Sequence, residues 1–282
     1  MENQGINPFL NYFRQPAIYL ILPSNGRWWP PGSIELSNNN EVAIYPMSTR
    51  DEILLRTPDA LMNGQGIVDV IQSCCPAVKN AWHMPAIDTD AMLIAIRIAS
   101  YGPNMDFESK CTHCGHNNQH SIDLGAVLSR ITCSDYAEEA RYKDLKIKFR
   151  PLNYQNINKN NMSEYSEQKI ISLLNDSTIT PEARQTEITA LIKRIHQLSI
   201  DTCVNSTDYI ELSDGTQVDN LDYIREFYSN SSADLIKLMQ DNITKFSELS
   251  RLQPHTLQCE SCTETYQATV SFDYSNFFGS GS

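Results

Sequence analysis

Two short stretches, Cys111-Thr112-His113-Cys114 and Cys259-Glu260-Ser261-Cys262, decide the fold of this chain. Each is a Cys-x-x-Cys knuckle, and four thiolates from two such pairs are the usual ligand set of a tetrahedral structural zinc site. The pairs lie far apart, whereas compact zinc fingers separate theirs by about 12 to 20 residues. Closing the longer loop costs roughly 2 kcal/mol more, against about 10 to 16 kcal/mol from structural zinc binding. We therefore expect one shared zinc.

The residues that flank the knuckles alternate between apolar and polar. Met105 and Phe107 lead into the first knuckle, and Ile122 and Leu124 lead out of it. The second knuckle is followed at period two by Tyr266, Ala268, Val270 and Phe272. Alternation at period two is typical of half-buried strands. The pattern therefore predicts a β-hairpin with a knuckle at its tip in both places, which is the arrangement of a zinc ribbon.

Other uses of the cysteines stay open at this stage. The knuckles could be metal-free thiol turns, two disulfides, or a thioredoxin-like redox pair, although such a pair should lie between a strand and a helix in a βαβ pattern. Four nearby histidines could substitute as ligands, but the cysteines already fill a tetrahedral shell; they are His113, His116, His120 and His255. The remaining cysteines have no partner spacing, so we expect buried free thiols at Cys74, Cys75, Cys133 and Cys203.

Composition limits the classes of protein that remain. The chain has 282 residues and a net charge of −12, which repels a nucleic-acid backbone. The longest apolar runs, Ala17 to Leu22 and Ala91 to Ile96, are far shorter than the roughly 20 residues of a membrane-spanning helix. The start, Met1 to Phe13, has no signal-peptide pattern. We expect a folded protein of a reducing compartment, without a membrane segment or a nucleic-acid partner.

Residues 1–104 are predicted to form an α+β domain. A strand at Ala17 to Leu22 is followed by the turn dipeptide Asn25-Gly26 and a second strand around Trp28-Trp29. Another short strand is predicted at Val42 to Tyr45. Three helices follow, at Thr49 onward with a Thr49-x-x-Glu52 capping box, at Gly66 to Cys74, and at Asp88 to Tyr101 with Asp88 as its cap.

The zinc-ribbon-like module is predicted to comprise residues 105–125 and 255–274, with a long, mainly helical insert at 126–254 between them. Leu145 to Arg150 alternates strictly and predicts a strand, and the asparagine-rich stretch Asn153 to Asn161 predicts a loop. Helices are predicted at Ser163 to Asn175, at Pro181 to Leu198 with Thr180 as its cap, and once or twice within Leu221 to Leu249. The fold class that we expect is therefore α+β.

A few further residues are candidates for special roles. Arg97 lies in an apolar helix and needs a partner, such as a backbone carbonyl or one of the acids Asp51, Glu52 and Asp90. Trp28, Trp29 and Tyr19 could form an exposed aromatic anchor, although core packing is the commoner use. A compact basic strand face comprises Lys146, Lys148 and Arg150. No catalytic motif is visible, so we expect no catalytic residues and no enzyme.

A series of blocks in a fixed order resembles a known family. The blocks are Arg14-x-Pro16-x-Ile18-Tyr19-x-x-Leu22-Pro23-Ser24-x-Gly26, Pro46-Met47 with Asp51-Glu52, Pro58-Asp59-Ala60-Leu61-Met62-Asn63-Gly64, Ser73-Cys74-Cys75-Pro76, Ala95-x-Arg97-x-Ala99-Ser100-Tyr101-Gly102, and the knuckle at Cys111. They look like the baseplate hub assembly family of contractile-tailed, T-even-like bacteriophages. The resemblance covers about residues 10–125 closely and resumes at the second knuckle.

The resemblance implies a virion-assembly protein that builds, chaperones or becomes part of the central hub of the tail baseplate. Its expected partners are other hub or tail proteins, with the tape-measure protein as a further candidate. Its expected places are the host cytoplasm during assembly and the baseplate of the virion. Two other classes stay open: a zinc-ribbon module that works with nucleic acid or a polymerase, for which the basic strand face would be needed, and a thiol-disulfide enzyme.

Overall fold

A two-stranded antiparallel sheet begins the fold. In this computed structural model, the described residues are 9, 12–57, 63–133, 136–162, 168, 180–250, 254–268 and 277–278. Strand β1 (Ile18–Ile21) pairs with β2 (Glu41–Ile44), which places Leu20 opposite Val42. The sequence correctly predicted both strands. It wrongly predicted a strand around Trp28-Trp29. No strand forms there, because Asn25, Gly26 and Trp28 all have positive φ, at 53°, 78° and 64°, and the chain turns.

The first hydrophobic core forms where this sheet meets four helices. They are α1 (Thr49–Leu55), α2 (Gln65–Cys74), α3 (Ala86–Tyr101) and, later in the chain, α4 (Leu124–Leu128), with a short 3-10 helix at Ala81–His83. Helix α3 is apolar around almost its whole circumference, and the residues from Ala91 to Arg97 are all buried. A helix of this kind has to lie inside a core.

Two helix caps differ from the sequence prediction. Helix α1 is capped by Ser48, whose side chain accepts from the Asp51 backbone while Asp51 bonds back, so the capping box lies one residue before the predicted Thr49 and Glu52 pair. Helix α3 begins at Ala86 after Pro85, and Asp88 is not its cap. Boundary shifts of one or two residues are common, because several polar residues near a helix start compete for the same free N–H groups.

Asp88 instead anchors the turn after β1 to the core. Its buried carboxylate accepts from the Ser24 backbone N at 2.8 Å, from Ser24 Oγ at 2.6 Å and from Trp29 Nε1 at 2.8 Å. Burial raises the pKa of this carboxyl, while the three hydrogen bonds act in the opposite direction. Trp29 therefore belongs to the core, whereas Tyr19 remains 64% exposed.

Arg97 is 3% exposed, as expected, and its Nε donates to the backbone carbonyl of Phe277 at 3.0 Å. The prediction of a buried arginine bonded to a carbonyl is thus confirmed. Two of the proposed acidic partners have other partners, because Asp51 pairs with Arg14 at 3.1 Å and Glu52 accepts from Tyr101. Phe277 and Phe278 are themselves buried in the first core, so the end of the chain returns to the N-terminal part.

A four-stranded antiparallel sheet organises the second core. Its order is β5 (Glu139–Tyr142), β6 (Leu145–Phe149), β7 (Thr207–Glu211) and β8 (Gln217–Val218). The sequence predicted only the second of these strands. Residues 154–162 are helical, so the predicted loop at Asn153 to Asn161 was wrong. The predicted helix Ser163 to Asn175 lies almost wholly outside the described residues.

Three helices pack beside this sheet: α5 (Pro181–Asn205), capped by Thr180 as predicted, α6 (Leu221–Ser229) and α7 (Ala233–Ser250). Met239 and Phe246 of α7 are buried, so the apolar face of this helix packs inward. The apolar residues in the middle of α5 divide, because Leu191 is buried while Ile192 and Ile195 are 62% and 45% exposed. Trp28 packs edge-on against Tyr136 and so contacts this second core.

Two further hairpins complete the described part. They are β3 (Asn104–Lys110) with β4 (Asn117–Asp123), and β9 (His255–Gln258) with β10 (Thr265–Ala268). The mixed helix and strand content confirms the α+β prediction. Among the described residues, no helix has both the length and the apolar character needed to cross a membrane.

Candidate metal centre

Each of these two hairpins carries a Cys-x-x-Cys knuckle at its tip, as the alternating flanks predicted. The first knuckle connects Lys110 to Asn117, which are paired across β3 and β4. The second connects Gln258 to Thr265, which are paired across β9 and β10. Neither knuckle lies between a strand and a helix, which is the setting that a thioredoxin-like redox pair requires.

The two knuckles have the same backbone hydrogen bonds. Gly115 N donates to Cys111 O at 3.0 Å, and Cys111 N donates to His116 O at 2.9 Å. The second knuckle repeats both bonds, from Thr263 N to Cys259 O at 3.0 Å and from Cys259 N to Glu264 O at 2.9 Å. The residue after the second cysteine has positive φ in both, 75° at Gly115 and 61° at Thr263. The knuckles are therefore local copies of each other.

The four cysteine sulfur atoms come together between the knuckles. All four lie within 4.8 Å of one another, with Cys111 Sγ at 3.8 Å from Cys262 Sγ and Cys114 Sγ at 3.6 Å from Cys259 Sγ. A tetrahedral site with Zn–S bonds of about 2.3 Å has S···S edges of about 3.8 Å. The cluster is thus close to the size that zinc needs. Within the described residues, no histidine joins it.

The environment of the cluster favours loss of the proton from the thiol of Cys259 and opposes its loss from the thiol of Cys262. The backbone N–H of Cys262 is the largest influence on Cys259, and it helps to lower the pKa of that thiol to about 6. At Cys262 the backbone N–H of Glu264 acts in the same sense, but burial and the hydrogen bonds with neighbouring thiols outweigh it and raise the pKa to about 12. Four close thiols cannot all ionise without a compensating cation.

Two buried residues join the hairpins, and one of them, Asn118, has no signal in the sequence pattern. Asn118 is completely buried; its Oδ1 accepts from Glu260 N at 2.9 Å and its Nδ2 donates to His116 O at 3.2 Å. Tyr266 is 4% exposed, and its hydroxyl lies 2.6 Å from Ser109 Oγ and 3.0 Å from His120 Nε2. The alternating pattern placed Tyr266 on a buried face but gave no sign of its hydroxyl partners.

The other cysteines lie outside this cluster. Cys74, Cys75 and Cys203 are buried free thiols, as predicted, and burial raises their pKa to about 12, about 11 and about 11. The prediction was wrong for Cys133, which is partly exposed. It packs against the second core, which covers it only in part.

The basic strand face is not a free patch of charge. Lys146 pairs with Glu211 at 2.6 Å, and Lys148 Nζ donates to Ala137 O at 2.5 Å. Arg150 Nε donates to Asn205 O at 3.0 Å. Glu211 therefore neutralises Lys146, while Lys148 and Arg150 each have one donor bound to a backbone carbonyl.

The fold and the cluster define an α+β protein in which two knuckle-bearing hairpins meet at four cysteines. A model of the family described as T4 bacteriophage base plate protein matches residues 22–279. The chain belongs to this family, and it is therefore a baseplate protein of a T4-like bacteriophage, whose partners are other tail or baseplate proteins. Searches of the curated proteins and of the solved structures found no match.

Proposed function

We propose that Cys111, Cys114, Cys259 and Cys262 bind one structural zinc ion that joins the two hairpins. The observation that carries this proposal is the approach of all four sulfur atoms to within 4.8 Å of one another. Thiolate-only ligation is typical of structural zinc, because no position is left open for water or substrate. The zinc would neutralise the thiolates and link parts of the chain that are distant in sequence.

Zinc content tests this proposal directly. Native mass spectrometry of the purified chain should give a mass one zinc above that of the denatured chain, and elemental analysis should identify the metal. Cys133→Ser, a cysteine outside the cluster, is the matched control and should keep the metal. Wild-type protein without stoichiometric metal, when prepared with zinc present, would falsify the proposal.

The function that this site supports is assembly without catalysis. The protein would build, chaperone or form part of the baseplate hub through protein-protein contacts, first in the host cytoplasm and then in the virion. Its partners would be other hub or tail proteins, with the tape-measure protein as a candidate. A closed tetrahedral thiolate site supports this role, because it stiffens a binding module and leaves no coordination position for catalysis.

The surface that we propose for these contacts lies in the insert, residues 126–254, and includes the middle of α5. Ile192 and Ile195 lie there on one side of the helix and are 62% and 45% exposed. Large exposed apolar side chains that are neighbours on a helix are typical of a protein-binding face. The C-terminal end of the same helix is fixed in the second core by Ile200 and Val204, which gives this face a rigid base.

Charged substitutions on this face test the assignment. Ile192→Asp with Ile195→Asp should weaken association with purified hub proteins by at least about tenfold, because each aspartate would have to be desolvated in the interface. The matched control is Ile53→Asp, at a residue that is 64% exposed in α1. If the α5 variant binds as tightly as wild type, this face is not the interface.

A further inference from the structure

The two knuckles correspond residue by residue, and the correspondence continues into the strands that follow them. Because Cys114 corresponds to Cys262 and His116 to Glu264, Asn118 occupies the position of Tyr266. Both side chains are buried, at 0% and 4% exposure, and each one bonds to the other hairpin. The hairpins are therefore braced in both directions by contacts that do not involve the metal.

Of these two braces, only the one from Asn118 reaches a metal-binding loop. Its Oδ1 accepts from the backbone N of Glu260, which lies between Cys259 and Cys262. Its Nδ2 donates to His116 O, the same carbonyl that accepts from the backbone N of Cys111. One amide side chain thus links the backbone beside a ligand in the first knuckle to the backbone beside a ligand in the second.

We propose that Asn118 is a positioning residue that sets the second knuckle at the correct distance from the first and thereby raises the affinity of the four cysteines for zinc. The inference rests on the proposed zinc site and adds a residue that is not a ligand. Because the bonds of Asn118 join protein groups alone, we expect part of the ordering of the four thiolates to precede metal binding. Outer residues that orient metal ligands are typically worth about 10- to 100-fold in metal affinity.

The bonds of Tyr266 provide a comparison within the same protein. Its hydroxyl bonds to Ser109 and His120, which lie on β3 and β4 away from the Cys-x-x-Cys turns. Loss of that hydroxyl should destabilise the contact between the hairpins without moving Glu260. A variant at each position therefore separates an effect on the metal ligands from a general effect on folding.

The test is the zinc affinity of four purified proteins, measured by competition with a chromophoric chelator. Asn118→Ala should bind zinc about 10- to 100-fold more weakly than wild type, and its cobalt-substituted form should have altered d–d absorption bands. Asn117→Ala, the exposed neighbouring asparagine, and Tyr266→Phe should both remain within about threefold of wild type. An Asn118→Ala affinity equal to that of Asn117→Ala would overturn the inference, and so would an equal loss in Tyr266→Phe.

A measurement on the wild-type chain covers the case in which Asn118→Ala does not fold. In metal-free protein at neutral pH, the amide of Glu260 should exchange with solvent at least about tenfold more slowly than the same amide does in the unfolded chain. Equal exchange rates would overturn the inference, because Asn118 would then not hold the loop before metal binds. Absence of zinc from wild type would overturn the zinc site itself, whereas the other outcomes concern Asn118 alone.

Discussion

The two knuckles have nearly the same backbone but differ in what holds them in place. The first is carried by β3 and β4, which have seven residues each, and Met105, Phe107 and Ile122 of these strands pack into or against the first core. The second is carried by β9 and β10, which have four residues each. Its buried residues, Cys259, Tyr266 and Ala268, belong to a small cluster shared with Cys111.

The second hairpin also lies less closely against the first core. A cavity of about 230 Å³ has His255, Thr256 and Leu257 on one side and Phe107 and Val127 on the other. Apolar burial stabilises in proportion to the area removed from water, so, as far as the described residues go, the first hairpin gains more from its surroundings. Equal geometry at the four cysteines therefore does not imply equal stability. Among the described residues, the second hairpin is held chiefly by the cysteines, Tyr266 and Asn118.

The largest expected effect comes from removing one cysteine ligand from either knuckle. Cys114→Ser and Cys262→Ser should each abolish stoichiometric zinc and lower the thermal midpoint by about 10 °C or more, as expected for loss of a structural metal. The double variant should be only slightly worse than either single one, because residues of one ligand set are not additive. Differential scanning calorimetry with zinc analysis measures both quantities. Additive losses would show that the knuckles act separately.

Removing the metal alone should affect the two hairpins differently. After chelation at neutral pH, the amides of β9 and β10 should exchange at least about tenfold faster than before, which is a local loss of about 1.4 kcal/mol or more. The amides of β3 and β4 should change much less, because the first core still holds them. Hydrogen-exchange mass spectrometry with and without zinc gives this comparison. Equal changes in both hairpins would contradict the proposed difference in anchoring.

The sequence was informative where a pattern is local. The two Cys-x-x-Cys pairs and the period-two flanks predicted two hairpins whose cysteines meet, and the apolar circumference of α3 predicted a buried helix. Thr180 before Pro181 predicted the start of α5 to the residue. In each case the deciding residues are neighbours in the chain, so their chemistry is visible without the fold.

The sequence was uninformative where partners are distant. Asp88 lies where a helix cap is expected, yet it bonds to Ser24 and Trp29, more than fifty residues away. Asn118 sits in a polar stretch of β4 and is nevertheless completely buried, because the second hairpin covers it. The strands β5, β7 and β8 are short, and their pairing around β6 depends on tertiary contacts.

The next prediction tests the brace that does not reach the metal loop. Tyr266→Phe removes only the hydroxyl that bonds to Ser109 and His120, and it should lower the free energy of unfolding by about 1 to 2 kcal/mol while zinc content stays unchanged. Chemical denaturation of the zinc-loaded protein measures this. Tyr223→Phe, at a residue 66% exposed, is the control and should change little. Equal effects would mean that the hydroxyl of Tyr266 contributes nothing specific.

The smallest expected effects come from the position with positive φ that follows the second cysteine of each knuckle. Gly115 and Thr263 both have left-handed φ, 75° and 61°. A Cβ on Gly115 would meet only Lys110 Cε, at an ordinary 3.7 Å, so Gly115→Ala should cost about 1 kcal/mol through backbone conformation alone. Thr263→Gly relieves the strain of a β-branched residue there and should stabilise the second knuckle.

The gain from Thr263→Gly should be less than about 1 kcal/mol, because glycine loses more chain entropy on folding. The variant also removes the bond from Thr263 Oγ1 to Cys262 O at 2.7 Å. Chemical denaturation of both variants in zinc-loaded form shows whether the relief of backbone strain or the loss of this hydrogen bond is larger. Opposite signs would show that the first knuckle has the less strained backbone. A loss for Thr263→Gly as large as that for Gly115→Ala would show that the hydroxyl bond to the ligand-bearing residue outweighs the backbone strain.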